Sequence, residues 1–102
     1  MKTAPGQLAE ALSSANTPLV IDVRNGAERD AGFIAESLHI PLAELHQRIR
    51  EIPTNRPIVT YCAGGWRSSV AASMLRRQGN PDVSDLLGGF AAWTATHQPS
   101  NA

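Results

Sequence analysis

The sequence holds a single cysteine, Cys62. An internal disulfide is therefore excluded, and a lone thiol is kept reduced most readily in the cytosol, so Cys62 is read as free or reactive in a cytoplasmic protein. Net charge is also missing: nine Lys and Arg balance nine Asp and Glu. No overall field is left to gather nucleic acid or an anionic membrane, and any basic site must be local. No apolar run approaches the roughly 20 residues that span a bilayer, and the N-terminal stretch lacks the apolar core of a signal peptide. Neither nucleic acid nor a membrane is expected as a partner. Histidine is sparse, with only His39, His46 and His97. None lies in a segment related to Cys62, so a Cys-His pair has weak support, and neither a metal nor a cofactor is expected.

At 102 residues the chain is near the usual size of one domain and long enough to bury a core without metals or disulfides. Between Gln7 and Ala15, the spacing of Leu8, Ala11, Leu12 and Ala15 predicts a short amphipathic helix. Leu19 to Val23 is a short β-branched run bounded by Pro18 and Asn25-Gly26, which suits a buried parallel strand ending at Asp22 and Arg24. A short helix is expected over 27–32 and a brief strand over 37–40. Leu42, Leu45, Ile49 and Ile52 share one face of a helix expected over 42–52, with Glu44 and Arg48 paired on the other. Pro57 to Tyr61 is the most strand-like segment. A helix over 67–78, stopped by Gly79, follows it, then a strand over 83–87, the Gly88-Gly89 turn and a helix over 90–95 held by Phe90 and Trp93. Strands alternating with helices imply an α/β domain with a mainly parallel central sheet flanked by helices. The first 17 residues form a helical segment of that same domain, and 97–102 read as a flexible tail.

In such sheets ligands bind beyond the carboxyl ends of the strands, where Cys62 falls. Gly64 and Gly65 let the backbone curl with its amides inward, and the following helix aims its N-terminus at the same point. Amide hydrogen bonds and the helix dipole together favour a thiolate, lowering the pKa below the free value of about 8.5 without a histidine base.

Cys62-Ala-Gly-Gly-Trp-Arg67 resembles the active-site loop of the rhodanese family, which starts at a cysteine, runs six residues and enters a helix. Asp22-Val-Arg24, Gly32-Phe-Ile34, Ile40-Pro41 and Leu87-Gly-Gly-Phe-Ala-Ala-Trp93 match further family segments in order and spacing, which places a rhodanese core at 18–96. The loop is most similar to those of rhodanese domains fused to metallo-β-lactamase-fold persulfide oxidisers, whose metal-binding domain is not part of this sequence. Three departures stand out. Phe33 replaces a usual histidine, Glu36-Ser37 stands where Gly-Ala is common, and a strand before Leu8 is not evident.

The resemblance implies a sulfurtransferase that carries sulfur as a Cys62 persulfide. The thiolate would take the outer sulfur of thiosulfate or a persulfide and pass it to cyanide, a thiol or a sulfur-accepting protein. Amides from Ala63, Gly64, Gly65, Trp66 and Arg67 would hold the persulfide, and Arg67, a cation poorly placed at a helix N-terminus unless ligand-facing or ion-paired, would steady an anionic donor. Asp22 and Arg24 mainly brace the sheet end, and Ser68 and Ser69 are expected to cap the helix. Trp66 either lines the entrance or packs over its neighbours as cover. Phe90 and Trp93 read as core and Gly88-Gly89 as a plain turn. Two rivals remain. A non-catalytic binding or relay module would dispense with the chemistry. A cysteine-dependent phosphatase would place five residues between cysteine and arginine, whereas only Ala63, Gly64, Gly65 and Trp66 intervene here.

Overall fold

The computed structural model describes residues 2–97. Five strands, β1 (Lys2–Thr3), β2 (Leu19–Asp22), β3 (Leu38–His39), β4 (Ile58–Tyr61) and β5 (Val83–Leu86), form one sheet in the order β1-β5-β4-β2-β3. Every pairing is parallel, so the sheet is wholly rather than mainly parallel. The helices are α1 (Pro5–Leu12), α2 (Gly26–Asp30), α3 (Leu42–Leu45), α4 (Trp66–Arg77) and α5 (Gly89–Thr94). None of these is long and apolar enough to cross a membrane.

The period-2 alternation of two of the inner strands, β2 and β4, sorts the core into two layers. Ile21 and Val23 from β2 and its exit, and Ile58 and Cys62 from β4 and its exit, face one side, where Leu45 and the α4 residues Ala71, Ala72 and Leu75 close over them. Val20, Val59 and Tyr61 face the other, against Leu8 of α1 and Trp93 of α5. Leu8 is fully buried, which stabilises the fold by roughly 1.5–3 kcal/mol. All four β4 residues are buried, as a strand covered on both faces must be.

Apart from the helix expected over 42–52, the expected elements form, with shifted ends. Strand β1 was not legible: only two residues long, it adds to the sheet edge through Lys2–Asp85 and Thr3–Leu86 pairing. Helix α1 starts at Pro5, a residue suited to the first helical position, and stops at Leu12 rather than Ala15. The helix expected over 42–52 is a correction. It breaks after Leu45 and tightens to a 3-10 turn at Ile49–Glu51, because Ile52 is drawn into extended backbone ahead of Pro53 and the last bonds close i to i+3. The apolar face survives this break, with Leu45 and Ile52 buried, and the Glu44–Arg48 pair forms at 3.1 Å. Gly79 ends α4 with φ +99. Of the expected tail, His97 stacks on Trp93 with ring centroids 4.1 Å apart, and residues 98–102 lie outside the described residues.

Candidate active site

Alternation along β4 decides where the thiol points. Thr60 and Cys62 share a face, the one covered by α4, and the Thr60 hydroxyl donates to the Ser68 carbonyl at 2.9 Å, fixing the first turn of α4 over the strand end. Cys62 is 1% exposed. Its Sγ accepts the Gly65 amide at 3.1 Å and the Ser68 amide at 3.4 Å, with the Ser68 Oγ at 3.5 Å. Burial alone would raise the thiol's pKa. The Ser68 hydroxyl and the amides of Ser68, Gly65 and Arg67 reverse that, and the net direction is down.

Gly65, at φ +132, makes the curl that turns its own amide inward. Ala63 and Gly64 are not among the donors to Sγ. Ala63 offers its carbonyl instead, accepting the Ala91 amide at 3.2 Å, while the Phe90 amide reaches the Cys62 carbonyl at 2.7 Å. Gly89, at φ +63, lies so close that a Cβ there would stand 2.6 Å from both carbonyl oxygens. The Gly88-Gly89 segment is thus more than the plain turn expected. It brings the start of α5 against the loop, and Phe90, expected as core, joins that contact.

The serines are a second correction. Ser68 and Ser69 do not cap backbone amides. Both hydroxyls donate back to the Gly65 carbonyl at 3.0 Å, and Ser69 also bonds Asp85 at 2.9 Å. The curl of Gly65 leaves that carbonyl within their reach.

Trp66 is 73% exposed, so it is not cover. With Val23, Pro41 and Leu42 it walls a hollow of about 350 Å³ that has Asn25 and Arg67 at its polar edge. Arg67 is held by Glu28 through bonds of 2.7 and 2.9 Å. The Arg67 guanidinium brings the Glu28 carboxyl down to about 2, and Arg67 is itself raised, chiefly by Glu28. Glu28 was missed in the sequence, although Asn25-x-x-Glu28 is a capping box: the Asn25 side chain accepts the Glu28 amide at 2.9 Å and the Asn25 amide donates to Glu28 at 3.0 Å.

Asp22 and Arg24 bond each other at the carboxyl end of β2. Arg24 donates to both Asp22 oxygens, at 2.9 and 2.8 Å, and to the Gly32 carbonyl at 2.7 Å. Its guanidinium lies 4.3 Å from the Phe90 ring centroid. Tyr61, opposite Asp22 in the sheet register, donates to it at 3.0 Å. Burial opposes the charge on Asp22, but the bonds from Arg24 outweigh it and the pKa falls. The departures at 33–37 find their place too. Phe33 lies under Arg29 at 3.9 Å, and Ser37 bonds Arg29 at 2.8 Å and Tyr61 at 3.2 Å.

Residues 4–96 match the family description "Rhodanese-like domain". The chain belongs to the rhodanese-like domain family. Among its relatives is the uncharacterized protein YqhL of Bacillus subtilis, 42% identical over 74 residues, which are 72% of this chain and 59% of that protein. A protein named sulfurtransferase from Allochromatium vinosum is 37% identical over 86 residues, 84% of this chain and 80% of its own length. The thiosulfate sulfurtransferase GlpE of Pseudomonas syringae is 34% identical over 96 residues, covering 94% of this chain and 90% of the relative. A rhodanese-related protein from Thermoplasma volcanium superposes with a TM-score of 0.90 at 26% identity, over 99% of this chain and 98% of that one. Two of these relatives, of which this chain covers most of the length, are sulfurtransferases by name.

Proposed function

We propose that the protein is a sulfurtransferase in which Cys62 takes a sulfane sulfur from a small donor, holds it as a persulfide and yields it to a thiophilic small molecule or protein. The observation that carries this reading is the surround of Sγ: two backbone amides and a hydroxyl converge on a thiol at the carboxyl end of the central strand, with no carboxylate bonded to it among the described residues. The two amides, joined by the Ser68 hydroxyl once its proton turns from the Gly65 carbonyl to the sulfur, stabilise a thiolate and, one bond further out, the terminal sulfur of a persulfide. Attack by Sγ on the outer sulfur of a donor breaks the donor's S–S bond, and the electron pair leaves with the inner sulfur. Asp22 and Arg24 keep the strand end rigid beneath the loop, and Ser68 completes the sulfur's hydrogen bonding. A cytoplasmic setting fits a thiol that works in its reduced form.

Intact-mass spectrometry tests the reading. A sulfane donor should add about 32 Da, one sulfur, to the protein, cyanide should remove it, and Cys62→Ser should take up none. Turnover by Cys62→Ser would overturn the assignment.

A further inference from the structure

We infer that Glu28 sets the donor class: by holding Arg67 in a two-bond ion pair it leaves the mouth of the Cys62 loop without an uncommitted cation, so the site favours a neutral or singly charged organic persulfide over the thiosulfate dianion. This rests on the sulfurtransferase reading above and narrows it.

Each cation at this end of the sheet has a carboxylate partner. Arg24 and Arg29 both bond Asp22, Arg67 bonds Glu28, and Lys2, alongside the first turn of α4, bonds Asp85. Among the described residues, the arginines without a carboxylate partner are elsewhere. Arg56 bonds the Thr17 carbonyl ahead of β4, and Arg76 and Arg77 close the far end of α4. Arg50 follows Ile49, which shares a hollow with Met74 and Arg77. Arg67 is therefore the one guanidinium bordering the mouth that a donor could recruit, and Glu28 already pairs its charge and takes one N–H from each of its terminal nitrogens. Releasing it would strand a carboxylate that also accepts the Asn25 amide in the α2 capping box.

The chemistry makes the difference matter. With thiosulfate, Cys62–S⁻ and S–SO₃²⁻ become Cys62–S–S⁻ and SO₃²⁻, so three negative charges meet at the site, two leaving on sulfite and one staying on the persulfide. With an organic persulfide, Cys62–S⁻ and R–S–SH become Cys62–S–SH and R–S⁻: one S–S bond forms, one breaks, the proton stays on the transferred sulfur and a single charge leaves. A mouth whose guanidinium is already paired tolerates the second better than the first. The wall of Val23, Pro41, Leu42 and Trp66 beside Arg67 is apolar, which suits the organic body R and does nothing for a sulfonate.

The test compares kcat/KM for thiosulfate and for an alkyl hydropersulfide released in situ, in wild type, Glu28→Gln, Glu28→Asp and the double variant Glu28→Gln/Arg67→Gln, with thermal melts alongside. Glu28→Gln should raise the thiosulfate-to-persulfide ratio by about tenfold or more, the worth of one charged hydrogen bond to an anion. Glu28→Asp should stay near wild type and the double variant should return toward it. A purely structural tie between α2 and α4 would change both donors alike and leave the ratio where it was. An unmoved ratio in a folded Glu28→Gln protein overturns the inference. If Glu28→Gln does not fold, wild type decides: a kcat/KM for thiosulfate at or above that for the persulfide overturns the inference, and the reverse supports it. Sulfur uptake from neither donor would sink the sulfurtransferase reading itself. Equal uptake from both, indifferent to Glu28, would sink this inference alone.

Discussion

The Phe90 backbone amide donates to the Cys62 carbonyl at 2.7 Å, which ties the start of the last helix to the residue that carries the thiol. Approach of the two backbones is possible only because position 89 has no side chain. Gly89→Ala should therefore cost at least about 1 kcal/mol from the left-handed backbone alone, and the 2.6 Å approach to two carbonyl oxygens adds to it. Urea unfolding gives the stability loss, and slowed alkylation of Cys62 in the folded fraction gives the displacement of the loop. Wild-type values on both would refute the contact's importance.

Cys62 should titrate below the free-thiol value of about 8.5 in a plot of alkylation rate against pH, since a hydroxyl and amides outweigh its burial. Ser68→Ala should move the inflection upward by removing the hydroxyl at 3.5 Å while keeping the amide. The sign carries into stability. A lowered folded pKa makes a contribution that is complete above the unfolded value and fades as pH falls through the folded one. The stability gap between wild type and Cys62→Ser should accordingly widen as pH rises through that window.

Asp22→Ala should destabilise the protein by about 3–5 kcal/mol, because Arg24, 3% exposed, and the Tyr61 hydroxyl would lose their shared acceptor. Chemical denaturation measures this directly. A change below about 0.5 kcal/mol, typical of an unengaged surface site, would show that the ion pair is not a brace.

Glu36 holds φ +66 on an exposed loop, a conformation that costs a side-chain-bearing residue about 1–2 kcal/mol and glycine little. Glu36→Gly should stabilise the fold by roughly 0.5–1 kcal/mol once the unfolded chain's added freedom is subtracted. Glu36→Ala should give no such gain. Melting curves of the two variants separate the alternatives.

Hydrolysis of an activated aryl phosphate should be negligible. The loop closes tightly on one sulfur, with the Gly65 and Ser68 amides at 3.1 and 3.4 Å from Sγ, and no histidine hydrogen-bonds Cys62 among the described residues to protonate a leaving alkoxide. Phosphate release rivalling sulfur transfer would restore the phosphatase reading. A glycine inserted between Gly65 and Trp66 should depress sulfur uptake by pushing the Gly65 amide off the sulfur.

What the sequence made legible follows from what is local. Alternation and punctuation located four of the five strands and all five helices, and Cys62 stood out because a strand end, two glycines and a helix start are adjacent in the chain. Strand β1 escaped because two residues carry no period. The α3 break escaped because an apolar face continues through a 3-10 turn. At the site, the missing facts are pairings between distant segments. Glu28 meets Arg67 across 39 positions, and Gly89 meets Cys62 only after the sheet assembles. The capping box at Asn25 did signal that Glu28 was structurally engaged, though not with what.

Strand β4 lies between β2 and β5 and is buried on both faces. Its amides can exchange with solvent only when ladders on both edges part, an opening that approaches unfolding of the whole domain. If Cys62 carries sulfur as proposed, the carrier is attached to the strand that is expected to open last.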